Sequence, residues 1–253
     1  MTAIQNDPVY SLPLIYKNGL ILSNDATTPN TIIDISAGQC RDSNDTIDIV
    51  SNAVILLNAA VNGVNGLDTG TFAASTMYAI YMIADSRNFQ VPAAMLTLAS
   101  NSSPLMPFDY DSFRLIGYWA SNGATHFYPG YYSGVGADLL FTYDAPIATA
   151  VTAGASTTYA PVVLTTLVPP INNLPVTINS IFSAAAAGDI LNMQGFNSVG
   201  DAITIIAPVA TGVANTENYD LVLAQLNVKA PTINYKVSAG TVAIDVAGFN
   251  LYL

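Results

Sequence analysis

The sequence predicts an all-β protein: antiparallel β-sandwiches or jelly-roll-like sheets, arranged as two stacked β-domains. Three observations point there. Short segments alternate apolar and polar side chains, tight-turn pairs separate them, and almost nothing carries a helical period. Thr31-Ile-Ile-Asp-Ile35 and Thr46-Ile-Asp-Ile-Val50 place apolar residues at every second position, as half-buried strands do. Asn62-Gly63, Asn65-Gly66 and Asn122-Gly123 are turn signals, because both residue types tolerate positive φ. Many short strands at roughly even spacing favour a sandwich or barrel.

Taken in order, residues 1–30 hold Pro8, Pro13 and Pro29 with few strand signals, and read as an extended arm that docks on a neighbour. The two alternating segments follow, joined by a polar, turn-forming stretch from Ser36 to Asp45. Ser51–Val61 has a Ser N-cap and a dense apolar run, which suits a short helix or a continuing strand. Further strands are expected at Met77–Ala84, Phe113–Ala120, Thr125–Tyr128 and Leu139–Tyr143. Beyond them come Tyr159–Leu167, Val176–Phe182, Ala202–Ala207, Leu221–Val228, Ile233–Val237 and Thr241–Val246. Ser183–Asp189 is Ala-rich and carries a Gly near its end, so it forms one helical turn or a tight loop. The composition shifts near Asp144–Pro146: residues 1–144 hold 12 acidic and 4 basic side chains, residues 145–253 hold 5 and 2. The expected organisation is therefore an arm at 1–30, a β-sandwich domain at 31–145 and a second β-rich domain at 146–253.

A chain of 253 residues with 51% hydrophobic side chains can bury a substantial core. Only 9% of the residues are charged, and 6 basic against 17 acidic side chains give a net charge of −11. Nucleic-acid binding is not expected, since tracking phosphates takes clustered cations. One His (His126), one Cys (Cys40) and one Glu (Glu217) leave little for catalysis or a zinc site, so neither an enzyme nor a cofactor is expected. A lone cysteine forms no internal disulfide. Met1–Leu20 lacks the cationic and apolar regions of a secretory signal. The longest uncharged stretch, Ala145–Gly188, is broken by five prolines, so membrane insertion is not expected either.

Five constellations bear on chemistry. Asp42-Ser-Asn-Asp-Thr-Ile-Asp48 starts like a calcium loop, but Ile47 stands where the bend needs Gly, and Ala53 replaces the closing Glu. An Asx-stabilised turn fits better, with a non-standard calcium site as the alternative. His126 with Cys40 or a serine would need a nucleophile elbow that no serine here has; a surface or interface His is the expectation. Gly134-Val-Gly136 opens like a dinucleotide fingerprint, yet Leu139 occupies the third glycine position. Asp109 and Asp111 could act as paired carboxylates on a strand, but Arg114 close by points to a structural ion pair. The aromatic cluster Tyr118, Trp119, Phe127, Tyr128, Tyr131 and Tyr132, with His126 beside it, fits three roles: packed core, subunit interface, or glycan-contacting surface.

Several segments resemble recurring motifs of tailed-bacteriophage virion proteins. Ile35-Ser-Ala-Gly-Gln-Cys-Arg-Asp-Ser-Asn-Asp-Thr-Ile-Asp-Ile49 is similar to a "G-x-x-R-D" block of that family. Gly66-Leu-Asp-Thr-Gly70, Ser75–Ile83 and Pro107-Phe-Asp-Tyr-Asp-Ser-Phe-Arg-Leu-Ile-Gly117 resemble three further blocks in the same order. The resemblance covers about residues 32 to 144. Fainter echoes of a terminal strand pair lie at Ile233–Val237 and Val246–Phe249. Met77 stands in place of the family's Trp, Leu115 in place of a second Arg, and the Arg-rich ending is missing. The resemblance implies a non-enzymatic virion part, on the tail or the capsid exterior. It would be a homotrimeric tail-fibre or host-adhesion protein that meets other phage virion proteins and host glycan, or alternatively a capsid cement protein. A mean hydropathy of +0.42 agrees with a chain that hides much of its surface in an assembly.

Overall fold

The computed structural model describes residues 16–136, 138–144, 148–171, 174–195, 203–207, 214–222 and 231–253. Every regular element among them is a strand, so the fold is all-β, built of sheets layered in sandwich fashion and antiparallel but for one pair, Gly66–Leu67 on Met95–Leu96. It divides into two compact units, one running to Phe141 and taking in Leu251–Leu253, the other Thr142–Asn250.

Three sheets make the first unit. β1 (Lys17–Gly19), β4 (Gly38–Arg41) and β5 (Asp48–Ser51) form one, in the order β1-β4-β5. β2 (Leu22–Asn24), β3 (Ile32–Ile35) and β6 (Ile55–Asn58) belong to the second. β7 (Gly66–Leu67), β8 (Met77–Ala84), β9 (Ala93–Leu98) and β10 (Ser112–Ala120) make the third, in the order β10-β8-β9-β7. β11 (Gly130–Val135) and the start of β12 (Asp138–Tyr143) extend the second sheet, which runs β12-β11-β2-β3-β6. All eight residues of β8 are buried. Successive side chains of a strand point to opposite faces, so this sheet is covered on both.

The first unit depends on how β10 is held. It lies at the edge of its sheet, and an extra residue at Ile116 breaks its register with β8 between Leu115 and Gly117. An edge and a bulge both leave backbone groups without ladder partners, and burying them unpaired costs about 1–3 kcal/mol each. Here other parts of the unit supply the partners. Ser43 donates its N–H (2.7 Å) and hydroxyl (2.8 Å) to the Phe113 carbonyl. The Lys17 ammonium donates to the Ile116 carbonyl at 3.0 Å. The Tyr132 hydroxyl accepts from the Tyr118 N–H at 2.9 Å and donates to the Tyr118 carbonyl at 2.7 Å. The Tyr128 N–H donates to the Ala120 carbonyl at 3.0 Å. Gly117 lets this happen, since a Cβ there would meet Leu22 Cδ1 at 2.5 Å.

Behind that edge the apolar core is aromatic. Trp119 is fully buried, with ring centroids 4.9 Å from Phe141, 6.0 Å from Tyr132 and 6.5 Å from Phe127. Its indole N–H donates to the Tyr128 carbonyl at 2.8 Å, so the one polar atom of the ring is satisfied. Phe72 continues the cluster, 4.7 Å from Phe127 and 5.5 Å from Tyr78.

The second unit has two groups of strands. β14 (Ala160–Val163), β16 (Ile190–Gly195), β17 (Ile203–Ile206) and β19 (Thr232–Val237) form a sheet in the order β14-β19-β16-β17. β15 (Pro175–Ser183) lies between β18 (Ala214–Val222) and β20 (Thr241–Tyr252), with β13 (Ala148–Gly154) also on β20. β15 alternates without a break: Val176, Ile178, Ser180 and Phe182 are buried, and the residues between them are half-buried.

Several expectations need correcting. Ser36–Asp45 contains a strand, β4: pairing with β1 and β5 buries Cys40 and Arg41 and outweighs local turn propensity. Thr125–Tyr128 is no strand, since the Asn122 side chain accepts the N–H groups of Ala124 and His126, and Thr125 has φ +60°. Two open alternatives are decided rather than corrected: Ser51–Val61 takes the strand, Ile55–Asn58, because β3 offers it a ladder, and Ser183–Asp189 takes the tight loop, with Gly188 at φ +85° and Asp189 accepting the Ala186 N–H. Tyr159–Leu167 shortens to β14, after which the Leu167 and Val168 N–H groups turn back to the Leu164 carbonyl. Ala202 and 223–228 lie outside the described residues, as do 1–15 of the expected arm; 17–19 and 22–24 of that arm are the paired strands β1 and β2.

Replacing Tyr132 with Phe removes one hydroxyl and leaves the Tyr118 N–H and C=O unpaired. The expected loss is about 1–3 kcal/mol in a urea titration followed by Trp119 fluorescence, with little change in strand content by circular dichroism.

Candidate functional site

The residues singled out from the sequence divide by burial. Trp119, Phe127 and Tyr132 are at most 4% exposed and Tyr118 is 8%, so none of these four can offer a ring to a glycan or a partner. This corrects their place in a candidate surface: they fill the space behind β10. Burial pushes the Tyr118 hydroxyl up to about 12 and that of Tyr132 higher still. Tyr131 is 46% exposed, and His126 and Tyr128 are half-buried. Cross-strand register places Tyr131, Ser23, Asp34 and Leu56 in one row across β11, β2, β3 and β6. One Asp34 carboxylate oxygen is shielded without a hydrogen-bond partner, and burial, reinforced by Asp25, raises its pKa.

The remaining constellations build turns. Asp42 is buried, and its carboxylate accepts from the Ile47 N–H (2.9 Å), the Thr46 N–H (2.5 Å) and the Thr46 hydroxyl (3.0 Å), which is the Asx-stabilised turn. Arg41 pairs with Asp48 at 2.9 Å and also donates to the Asp45 carbonyl. Asp109 pairs with Arg87 at 2.9 Å, which replaces the expected partner Arg114. Asp111 accepts from the Ser86 N–H (2.8 Å) and hydroxyl (2.6 Å), and its pKa is lowered. The Asp85 carboxylate accepts from Arg87 Nε and from the N–H groups of Arg87 and Phe89, and the Arg87 bond holds it below the usual carboxylate range. Gly134 sits at φ +113° in the turn that joins β11 to β12, where a Cβ would meet the Asp138 carbonyl at 2.2 Å.

Two buried groups titrate unusually. Burial lowers Lys17 from 10.5 to about 8, with Arg114 adding to the effect and Cys40 opposing it. Burial raises Cys40 from 9.0 to about 12. A thiol so protonated is no nucleophile at neutral pH. Among the described residues no group of three or more His, Cys, Asp or Glu could hold a metal ion, and no helix is long and apolar enough to cross a membrane.

What sequence reading missed is a pair of loop tips. The turn 85–92 presents Phe89, 78% exposed, and Val91, 77% exposed; the loop 99–111 presents Phe108, 90% exposed. Arg87 joins the tips, bonding Asp109 while its guanidinium lies 5.5 Å from the Phe89 ring centroid. The Tyr110 hydroxyl adds a bond to the Val91 carbonyl at 2.9 Å. Asn88 and Asp109, next to the two phenylalanines, have φ +61° and +66°. The available signal was a Phe set inside turn chemistry, as in Ser86-Arg-Asn-Phe89 and Pro107-Phe-Asp109. Two hollows also open in this unit. One of about 400 Å³ is lined by polar groups such as Asn18, Gln39, Ser51 and Asn52. The other, of about 240 Å³, is lined by Ala59, Ala60, Leu67 and Phe72 together with the polar Asn62 and Thr71.

No family model and no curated protein matches this sequence. Two solved structures show a distant likeness. The tobacco streak virus coat protein is 16% identical, with 46% of this chain and 84% of that chain covered, at a TM-score of 0.25. The structure of infectious bursal disease virus, Gx strain, is 11% identical, with 100% of this chain and 70% of that chain covered, at 0.26. Scores of this size establish neither a shared fold nor a shared role.

Two solution measurements follow from the titrating groups. Between pH 8 and 10.5 the unfolded chain keeps a proton on Lys17 that the folded chain has released, so stability rises with pH; Cys40 acts in the opposite sense from about pH 9. From pH 7 to 9 the wild type should therefore gain about 1.3 kcal/mol relative to Lys17→Met in paired urea titrations. At pH 8 the Cys40 thiol of the folded protein should react with iodoacetamide about a thousandfold slower than in 8 M urea, the difference in thiolate fraction alone.

Proposed function

We propose that this chain is a non-enzymatic structural subunit of a virus particle, of the tailed-phage kind: a tail-fibre or host-adhesion piece assembled as a homotrimer. The observation that carries the reading is how the chain spends its reactive groups. Asp42, Asp85, Asp109 and Asp111 hold turns, and Cys40 is buried as a neutral thiol. Meanwhile Val54, Leu56, Phe89, Val91, Leu105 and Phe108 stand more than half exposed. Large apolar side chains in water with carboxylates engaged inside suit a protein completed by assembly. The motif blocks between residues 35 and 117 point the same way, and closed threefold symmetry is common among such oligomers. Host glycan would be met by Tyr131 with His126 and Tyr128, the less buried members of the aromatic set.

The capsid-cement reading is favoured by the number of exposed apolar residues in the first unit, Val54, Leu56, Val61 and Val64 in one segment and Phe89 and Phe108 in two others. A subunit clamped between neighbours would use more apolar surface than one seam of a fibre.

Gold-labelled antibody on gradient-purified particles, with the copy number read from a quantitative gel, separates the readings. Few copies at the tail, with host adsorption lowered by Tyr131→Ala, is the expected result. Many copies over the head would favour cement, and absence from the particles would remove the virion role altogether.

A further inference from the structure

The larger of the two hollows lies on the outer face of the sheet β1-β4-β5. Register fixes that face. Lys17, Cys40 and Ile49 form one row across the three strands and are buried, so the next row, Asn18, Gln39 and Val50, points the other way. Asn52, just past the end of β5, lines the hollow with them. Strands lie about 4.8 Å apart, so three of them make a floor about 10 Å wide, enough to lay one sugar ring flat. A volume of about 400 Å³ is within the range of small-molecule sites.

The polar groups here are not spent on the fold. Asn18 and Asn52 are exposed, and neither side chain makes a hydrogen bond among the described residues. Gln39 uses one amide hydrogen, in a long bond of 3.4 Å to the Tyr16 hydroxyl. By contrast Asn24, Asn65 and Asn122 each give their amides to loop backbone. No charged residue lines the hollow. Arg41 and Asp48, in the adjoining row of the same face, are paired with each other at 2.9 Å and cancel.

We propose that this hollow binds a neutral pyranose sugar, with Asn18, Gln39 and Asn52 bonding its hydroxyls above Val50. The inference goes beyond the glycan contact read at Tyr131: the residues are different, and the site stands whether the chain belongs to a fibre or to a head.

The chemistry of the lining selects the ligand. A side-chain amide offers donors and an acceptor on one group, and a hydroxyl both donates and accepts, so a polyhydroxyl ring can replace the water bonds of these amides one for one. An apolar ligand would leave the amides unpaired, which costs more than the contact returns. An ion would find no opposite charge, and an acidic sugar would also meet a chain of net charge −11. Val50, half-buried in the floor row, gives the C–H face of the ring an apolar surface to cover.

The test is amide NMR on the ¹⁵N-labelled full chain, titrated separately with the methyl pyranosides of glucose, mannose and galactose. At least one should shift the resonances of Asn18, Gln39 and Asn52 with a millimolar Kd, the range of a few exposed hydrogen bonds. Asn18→Ala and Asn52→Ala remove exposed, unbonded amides, so both should fold, as circular dichroism would confirm, and each should weaken binding about fivefold. Tyr131→Ala should leave this binding unchanged, and the methyl glycoside of N-acetylneuraminic acid should bind more weakly than the neutral sugar. No shift at these three residues with any of the three sugars at about 50 mM overturns the site. Shifts gathered around Tyr131 instead also overturn it, and leave the Tyr131 contact standing. Affinity untouched in both asparagine variants removes the amides from the contact. An acidic sugar that binds as well as the neutral ones overturns the choice of ligand.

Discussion

The first unit is organised around one constraint: an edge strand with a bulge must not leave its backbone dry and unpaired. β10 meets that demand with four groups drawn from three separate parts of the sequence, Lys17, Ser43, and Tyr128 with Tyr132. Each bond contributes about 1 kcal/mol, while each buried group left unpaired costs more than that. The arrangement therefore specifies position as much as it adds stability. It also blunts the edge as a template for strands of other chains, the usual hazard of an uncovered sheet. An aromatic hydroxyl that accepts from one N–H and donates to the carbonyl of the same residue stands in for a missing neighbouring strand.

Burying Lys17 in this role has a consequence. The ammonium is desolvated strongly enough to lose its proton near pH 8, so part of the stability of the first unit is set by how readily one amine gives up its charge. An apolar residue would carry no such penalty, but would leave the Ile116 carbonyl unpaired beside the bulge. With only 6 basic residues in the chain, placing one of them here shows how much the bulge requires it. Arg41 and Arg87 are likewise committed, to Asp48 and to Asp85 with Asp109. The cations serve the fold first.

Much of the strand pattern was legible because alternation reports burial directly. Ile233–Val237 and Val176–Phe182 read as strands on a period of two, and Met77–Ala84 on a continuous apolar run. β4 was not legible: Gly-Gln-Cys-Arg has no alternation, and its strand state comes from partners on both sides. Asn122-Gly123-Ala-Thr125 announced a turn, yet the strand expected directly after it does not form, because the Asn122 side chain captures two following N–H groups. The aromatic cluster was visible as composition, but its burial was not. Trp119 and Tyr131 look alike in sequence and sit on opposite sides of the question, since strand phase and the bulge at Ile116 decide which ring turns inward. The exposed phenylalanines were missed for the converse reason: a Phe inside turn chemistry gives no periodic signal.

The same economy bears on assembly. A net charge of −11 makes copies of this chain repel at long range, but at physiological salt that repulsion fades beyond about 8 Å. In the proposed assembly, contacts between copies would act at close quarters, where apolar burial and shape dominate. Side chains that protrude suit this better than a flat face, because a projecting ring loses its water before the bodies of two acidic subunits come close. Phe89 and Phe108 project in this way, each beside a residue in the left-handed region, and Arg87 links their two loops through Asp85 and Asp109. Carboxylates such as Asp85 and Asp109 are thereby drawn into the support of an apolar surface, so the acidity of the chain and its exposed phenylalanines belong to one construction.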